Sequence, residues 1–157
     1  MTHTSLLSNI KIDEIMDEKP RLSPKNLSHK PIVSVNNYAD IDSIFKGNTD
    51  AVALSIGRAQ YDSEQISLKV WRHTGEKWSR QSEELPIHRN LDLTILFLKS
   101  MMMDPDSQSI ISRQSENLSI DEPDEMDLIR SYYLQNKEYL LPRLKELRDT
   151  LSTFLGR

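Results

Sequence analysis

The chain has 157 residues, 37% of them hydrophobic, and a net charge of −4, which is room for one ordinary domain with stretches left over that do not belong to a core. A dedicated duplex-DNA binder is usually basic, and this chain is not. It has no cysteine, which excludes disulfides, thiolate nucleophiles and cysteine-based zinc sites.

Residues 1–30 read as a flexible or docking arm. Leu6, Leu7, Ile10, Ile15 and Met16 would line one side of a short helix over Ser5–Lys19, and Pro20, Pro24 and Pro31 then keep the chain extended. Asp13, Glu14, Asp17 and Glu18 interrupt any apolar core, so the start does not read as a signal peptide. The richest apolar run, Leu91–Met103, contains Asp92 and Lys99 and is too short to span a bilayer. A cytoplasmic location is therefore expected. His3 and His29 fall in the arm and are read as solvent-facing.

Residues 31–157 read as a single α+β domain. Pro31–Val35 is a short β-branched strand. Asn37 and Asp40 have capping-box spacing, which predicts a helix ending at Gly47 and burying Ile41, Ile44 and Phe45. Ala51–Gln60 is a strand with Val52, Leu54 and Ile56 on one face, and Gly57 marks a bulge or a close approach. Ile66–His73 alternates, with Ile66, Leu68 and Val70 on one side and Ser67, Lys69, Trp71 and His73 on the other. Thr74 and Gly75 supply a turn, and Lys77–Glu83 forms a third, polar edge strand. Pro86 opens a helix to about Met103 that is apolar nearly all round, the central buried helix on which the antiparallel meander packs.

The stretch Asp104–Asp127 carries eight acidic residues and one basic one, and its part at about 104–121 reads as an acidic loop. Folding of this loop over the basic hairpin, in competition with an acidic ligand, is weighed against a plain solvated spacer. Ser119, Glu122 and Pro123 start a helix over roughly Asp124–Tyr139. Pro142 is expected to force a kink or break. The last helix carries Leu144, Leu147, Leu151 and Phe154 at coiled-coil-like spacing, which suits a homodimer or a core stripe equally.

The densest polar run is Lys69–Arg89, with Asp92 behind it. A two-residue loop of Thr74 and Gly75 would set His73 opposite Glu76, Trp71 opposite Trp78 and Lys69 opposite Arg80, all on one face; a longer loop would shift this register. The helix that follows offers free N–H groups to an anion, and His88 and Arg89 lie in its first turn. The candidate site is thus Lys69, Trp71, Arg72, His73, Glu76, Trp78, Arg80, His88 and Arg89. It reads as a surface for a protein partner or a phosphate-bearing ligand, against the alternative of ordinary cross-strand packing and helix-surface pairs.

Sharper chemistries have less behind them. A phosphodiester hydrolase or nuclease would use Arg80 and Arg89 as charge clamps and His73 or His88 for proton transfer. A single-stranded nucleic acid would stack on Trp71 and Trp78, with Lys69, Lys77 and Arg80 along the backbone. No HExxH spacing supports a metal, no GxSxG or SxxK frame supports a serine nucleophile, and the four glycines form no phosphate-binding loop, so no metal or cofactor is expected.

Trp71, Arg72, His73, Thr74, Gly75, Glu76, Lys77 and Trp78, then Leu85, Pro86, His88 and Arg89, resemble the core of a family of small uncharacterised bacterial proteins classed as a domain of unknown function. The resemblance covers about Lys30–Lys99, leaving the arm and the acidic loop as features of this chain. It implies a compact domain and a bacterial or phage origin. It implies no activity and carries over no catalytic residue.

Overall fold

The computed structural model describes residues 20–103, 114 and 117–156. They fall into two units, one ending at Leu85 and the other starting at Pro86. The helix expected over Ser5–Lys19, His3 and nearly all of the acidic loop lie outside the described residues.

The first unit is built on an antiparallel sheet of four strands in chain order: β1 (Lys30–Val35), β2 (Ala51–Arg58), β3 (Ile66–Arg72) and β4 (Glu84–Pro86). The first three lie where β-branched content and alternation place them. Their register sorts the side chains into two faces. Val35, Leu54 and Val70 form one apolar row, and Val33, Ile56 and Leu68 another. Ser34, Ser55 and Lys69 form a row on the opposite face, flanked by the pairs Ala53–Trp71 and Gly57–Ser67. This small, polar face is the buried one: Ala53, Ser55, Gly57, Ser67, Lys69 and Trp71 are all buried, while Leu54, Ile56, Leu68 and Val70 are half-buried. The expectation that Lys69 and Trp71 lie on a free surface is corrected here. Segment 20–29 is the cause. Leu27 packs on the Val52–Ala53–Trp71 core beside Trp78, and Ser23 Oγ meets Ser34 Oγ at 2.6 Å.

Gly57 permits the contact between β1 and β2. A Cβ there would sit 2.0 Å from the Lys30 carbonyl oxygen, and the register slips between Pro31 and Val33 beside it. The sequence expectation of a bulge or close approach holds on both counts.

The helix predicted from Asn37 to Gly47 is replaced by two 3-10 turns, Tyr38–Asp40 and Ser43–Phe45. Asn37 stands in the left-handed region at φ 55 and caps nothing with its side chain, and Ser43 breaks the path again at φ 57. Ile41, Ile44 and Phe45 stay exposed instead of buried.

The third strand also differs. After the turn, Ser79 Oγ accepts the Gln81 N–H, and Ser82 Oγ accepts the Arg72 N–H while donating to the Ser79 carbonyl. Serine hydroxyls thus take over backbone groups that a ladder would use. Residues 79–83 loop outward, and pairing resumes as Val70 N–H bonds the Glu83 carbonyl at 2.9 Å and β4 begins.

The second unit holds α1 (Ile87–Met102), α2 (Met126–Gln135) and α3 (Lys137–Leu155). The apolar circumference of α1 is partly covered: Phe97 and Leu98 are half-buried, Leu91 and Leu93 are exposed, and its buried residue is Lys99. Arg130 of α2 satisfies the end of α1, donating to the carbonyls of Met101 and Met103. A 3-10 turn, Pro123–Glu125, precedes α2. The break expected at Pro142 falls earlier, at Asn136 with φ −111, and α3 runs on through the proline. Leu144 and Leu147 of α3 are half-buried beside Leu98, whereas Phe154 is 85% exposed. No helix among the described residues is long and apolar enough to cross a membrane. The class is α+β, as the sequence predicts.

Candidate functional site

The polar face of the first unit closes around His29. This residue precedes β1 and is fully buried, the reverse of the exposed position expected from its place in the arm. Its Nδ1 lies 3.0 Å from Ser67 Oγ and 3.2 Å from Glu84 Oε1, and its Nε2 lies 3.0 Å from Ser55 Oγ. Glu84 Oε1 also accepts the Ser67 hydroxyl at 2.6 Å and the Gln60 N–H at 2.9 Å. Ser55 Oγ accepts the Trp71 indole N–H at 2.9 Å. Ser55 comes from β2, Ser67 and Trp71 from β3 and Glu84 from β4, while His29 stands just before β1, so residues far apart in sequence meet.

The protonation pattern follows from these partners. Burial pushes the Glu84 carboxyl up, but hydrogen bonds from Ser67, Gln60 and His29 and the charge of Lys69 outweigh it, so Glu84 is held below its ordinary value. Nδ1 faces the ionised Oε1 and a Ser67 oxygen whose hydrogen is already given to Glu84, so Nδ1 must be the donor and carries the proton. Nε2 is then free to accept the Ser55 hydroxyl. Burial lowers the His29 pKa, more than its hydrogen bond and attraction to Glu84 raise it, and Lys69 adds to the lowering. The ring is neutral at pH 7.

Lys69 sits at the rim of this cluster. Its Nζ donates to Gln60 Oε1 at 3.2 Å, lies 3.7 Å from Glu84 Oε2 and stands 4.6 Å from the Trp71 ring centre. The charge partner of Lys69 is Glu84, and Arg80, set opposite Lys69 by a two-residue loop, is exposed. Trp71 meets His29 edge-on at 5.6 Å and Trp78 at 5.7 Å. Arg72 grips both oxygens of Glu83, at 2.5 and 2.9 Å, and Asp50 Oδ1 at 2.5 Å. These bonds hold Glu83 below its ordinary range, against its partial burial, and hold the guanidinium firmly protonated.

The hairpin tip is set two residues away from the predicted register. His73 pairs with Trp78, and the Thr74 N–H bonds the Lys77 carbonyl at 2.9 Å, leaving Gly75 and Glu76 at the apex. Gly75 takes φ +98, which side chains rarely adopt. A two-residue shift keeps the same side chains on the same face. Trp71 and Trp78 still touch, but diagonally, and His73 stacks edge-on against Trp78 at 5.0 Å. His73 Nδ1 accepts the Gly75 N–H at 3.0 Å. Glu76, Lys77 and Arg80 are exposed.

His88 and Arg89 belong to the second unit, exposed on the first turn of α1. That turn has no side-chain cap and no acidic residue. No group of three or more potential metal ligands occurs among the described residues.

Sequence reasoning did not bring His29, Ser55, Gln60, Ser67 or Glu84 into the candidate site. The legible hint was two serines at inward-alternating strand positions, Ser55 and Ser67, but nothing local tied them to a histidine 38 residues from Ser67.

The chain belongs to a family of unknown function (DUF6530), whose model matches residues 22–155. The family match is wider than the Lys30–Lys99 core: it takes in segment 22–29, which carries His29, and runs through the acidic stretch and all three helices. No curated protein and no solved structure matches the chain.

Proposed function

We propose that this chain is a non-enzymatic binding module whose recognition surface is the exposed end of the hairpin, with Lys77, Trp78 and Arg80 presented to a protein partner or a phosphate-bearing ligand. The observation that carries this reading is a division of labour within the candidate set. Lys69, Trp71 and Arg72 are committed to Glu84, Ser55, Glu83 and Asp50. They brace the strands, so the tip is a fixed platform instead of a loose loop, and ordering it costs little on binding. Exposed His88 and Arg89, on a helix whose first turn holds no acidic residue, are a second feature that suits an anion.

A phosphodiester hydrolase needs a histidine that meets a carboxylate and opens to substrate. His29 and Glu84 meet, and the order Ser55, His29, Glu84 is that of nucleophile, base and orienting acid. Ser55 is also held by the Trp71 indole and Glu84 by Ser67 and Gln60, and His29 and Ser55 are buried, so the arrangement favours a lock over a reaction centre. A base-stacking role loses Trp71, which is only 2% exposed.

The test is a thermal-shift panel of inorganic phosphate, nucleotides and oligonucleotides, on the parent and on Arg80→Ala with Arg89→Ala. A ligand should raise the parent Tm by several degrees. The double variant should keep its own Tm within about 1 °C, as exposed substitutions do, and lose the ligand shift. A variant that melts early would make the two arginines structural and end this reading.

A further inference from the structure

Segment 20–29 covers the polar face of the sheet without joining it. It forms neither strand nor helix. Its first half is tied to the end of β1 and the residues just past it. The Arg21 carbonyl accepts the Asn37 N–H at 2.8 Å, Asn36 Oδ1 accepts the Ser23 N–H at 3.0 Å, and Ser23 Oγ meets Ser34 Oγ at 2.6 Å. Leu27 rests on the Val52–Ala53–Trp71 core, and His29 is the bolt, inserted with no exposure at all. The sheet beneath has its own hold, since β2 pairs with β3 along Ala51–Arg58 and with β1 along Leu54–Arg58. A cover held by a few bonds opens at lower free energy than ladders of this kind.

The bolt fits in one protonation state. Nδ1–H points at Glu84 Oε1 and Ser67 Oγ, and Nε2 accepts the Ser55 hydroxyl. Ser55 has one hydrogen, and its oxygen already accepts the Trp71 indole N–H at 2.9 Å. A proton on Nε2 sets an N–H against an O–H. Ser55 must then turn its hydrogen away, and it has no other acceptor among the described residues. Charge acts in the same direction. The charged groups that face the ring are Glu84 from β4 and Lys69 from β3, whereas β2 supplies neutral Ser55. Glu84 and Lys69 offset each other, 3.7 Å apart. An imidazolium between them leaves one buried positive charge in excess, which is costly away from water.

We propose that segment 20–29 is a proton-released strap: protonation of His29 ejects the ring and lifts the segment from the sheet while β2 and β3 stay paired. Release bares Trp71, now 2% exposed, with Ala53 and Ser67. Trp71 lies 5.7 Å from Trp78, so the bared indole extends the surface of the hairpin tip. The strap works in the same way whatever the tip binds. Opening takes up one proton as pH falls below 6.5, the ordinary histidine value. The open fraction should therefore rise about tenfold per pH unit until the closed ring itself titrates.

Hydrogen exchange on the full chain tests this, from about pH 7.5 to about pH 5, above the ordinary carboxylate range. The reporters are the Ser23 and Asn37 amides and the Trp71 indole N–H, with the β2–β3 amides as internal reference. Corrected for intrinsic rates, the reporters should open at least tenfold more often than the reference amides, and about tenfold more often per pH unit below 6.5. His29→Gln offers one donor and one acceptor in neutral form, and should abolish the pH dependence. Reporters that open only as often as the β2–β3 amides overturn the proposal, because the cover then leaves only when the sheet unfolds. A flat profile in the parent overturns it, and so does an unchanged rise in His29→Gln. If His29→Gln fails to fold, the complementary variant decides: with His3, His73 and His88 all changed to Gln the rise must persist, and its loss overturns the proposal.

Discussion

At the residue scale, two buried polar side chains behave in opposite ways. His29 is buried with every polar atom matched, by Ser55, Ser67 and Glu84. His29→Ala would leave those three partners short of a hydrogen bond and open a cavity. It should lower stability by about 2–4 kcal/mol, measured by urea unfolding. Lys99 is the contrary case: its Nζ is buried and has no hydrogen-bond partner among the described residues. An uncompensated ammonium is a cost that an apolar side chain of similar length removes. Lys99→Met should therefore raise the urea midpoint, by about 1–2 kcal/mol of stability. A fall would mean that the amine is compensated in solution.

The element scale separates what local propensity decides from what it leaves open. Strands β1–β3 follow alternation and β-branching. The Asn37 capping signal was present but lost, since Asn37 N–H goes to the Arg21 carbonyl at 2.8 Å and its backbone turns left-handed. The third strand was lost to Ser79 and Ser82, whose hydroxyls offered the backbone a turn. Gly57 is where an element contact is most sensitive. Gly57→Ala puts a methyl 2.0 Å from the Lys30 carbonyl oxygen, a backbone atom that cannot step aside cheaply. The strands must part, so stability should fall by about 3 kcal/mol or more. Hydrogen exchange should quicken first at the β1–β2 amides. Uniform acceleration across the sheet, with β1–β2 no faster than β2–β3, would contradict this.

At the scale of the whole molecule, the buried network ties stability to pH. His29 has a folded pKa below its ordinary 6.5, so the fold holds the neutral ring while the unfolded chain takes up a proton. This contribution is complete above pH 6.5 and is lost as pH falls from there through the lowered value. Glu83 and Glu84 are also held below their ordinary 4.5, so their contribution is complete above that value and is lost at lower pH. Tm should be flat above pH 7, decline from about pH 6.5, and drop again below about pH 4.5. His29→Gln should flatten the first decline and leave the second. An unchanged first decline would assign it to another group.

The sequence by itself determined the α+β class, the first three strands, the close approach at Gly57 and the presence of a turn after β3. Each of these follows from neighbours along the chain: alternation, a missing Cβ, a turn. Only the tertiary structure decided which face of that hairpin strand is interior. Alternation says that Ser67, Lys69 and Trp71 share a side, but not what covers them. The cover comes from His29 and Leu27 in a segment that reads locally as a polar, proline-rich arm, and from Glu84 beyond a loop. Lys69 thus passed from exposed cation to buried partner of Glu84. Burial is a property of everything that packs on a face, and hydrogen bonds across 38 or 55 residues leave no periodic trace in the chain.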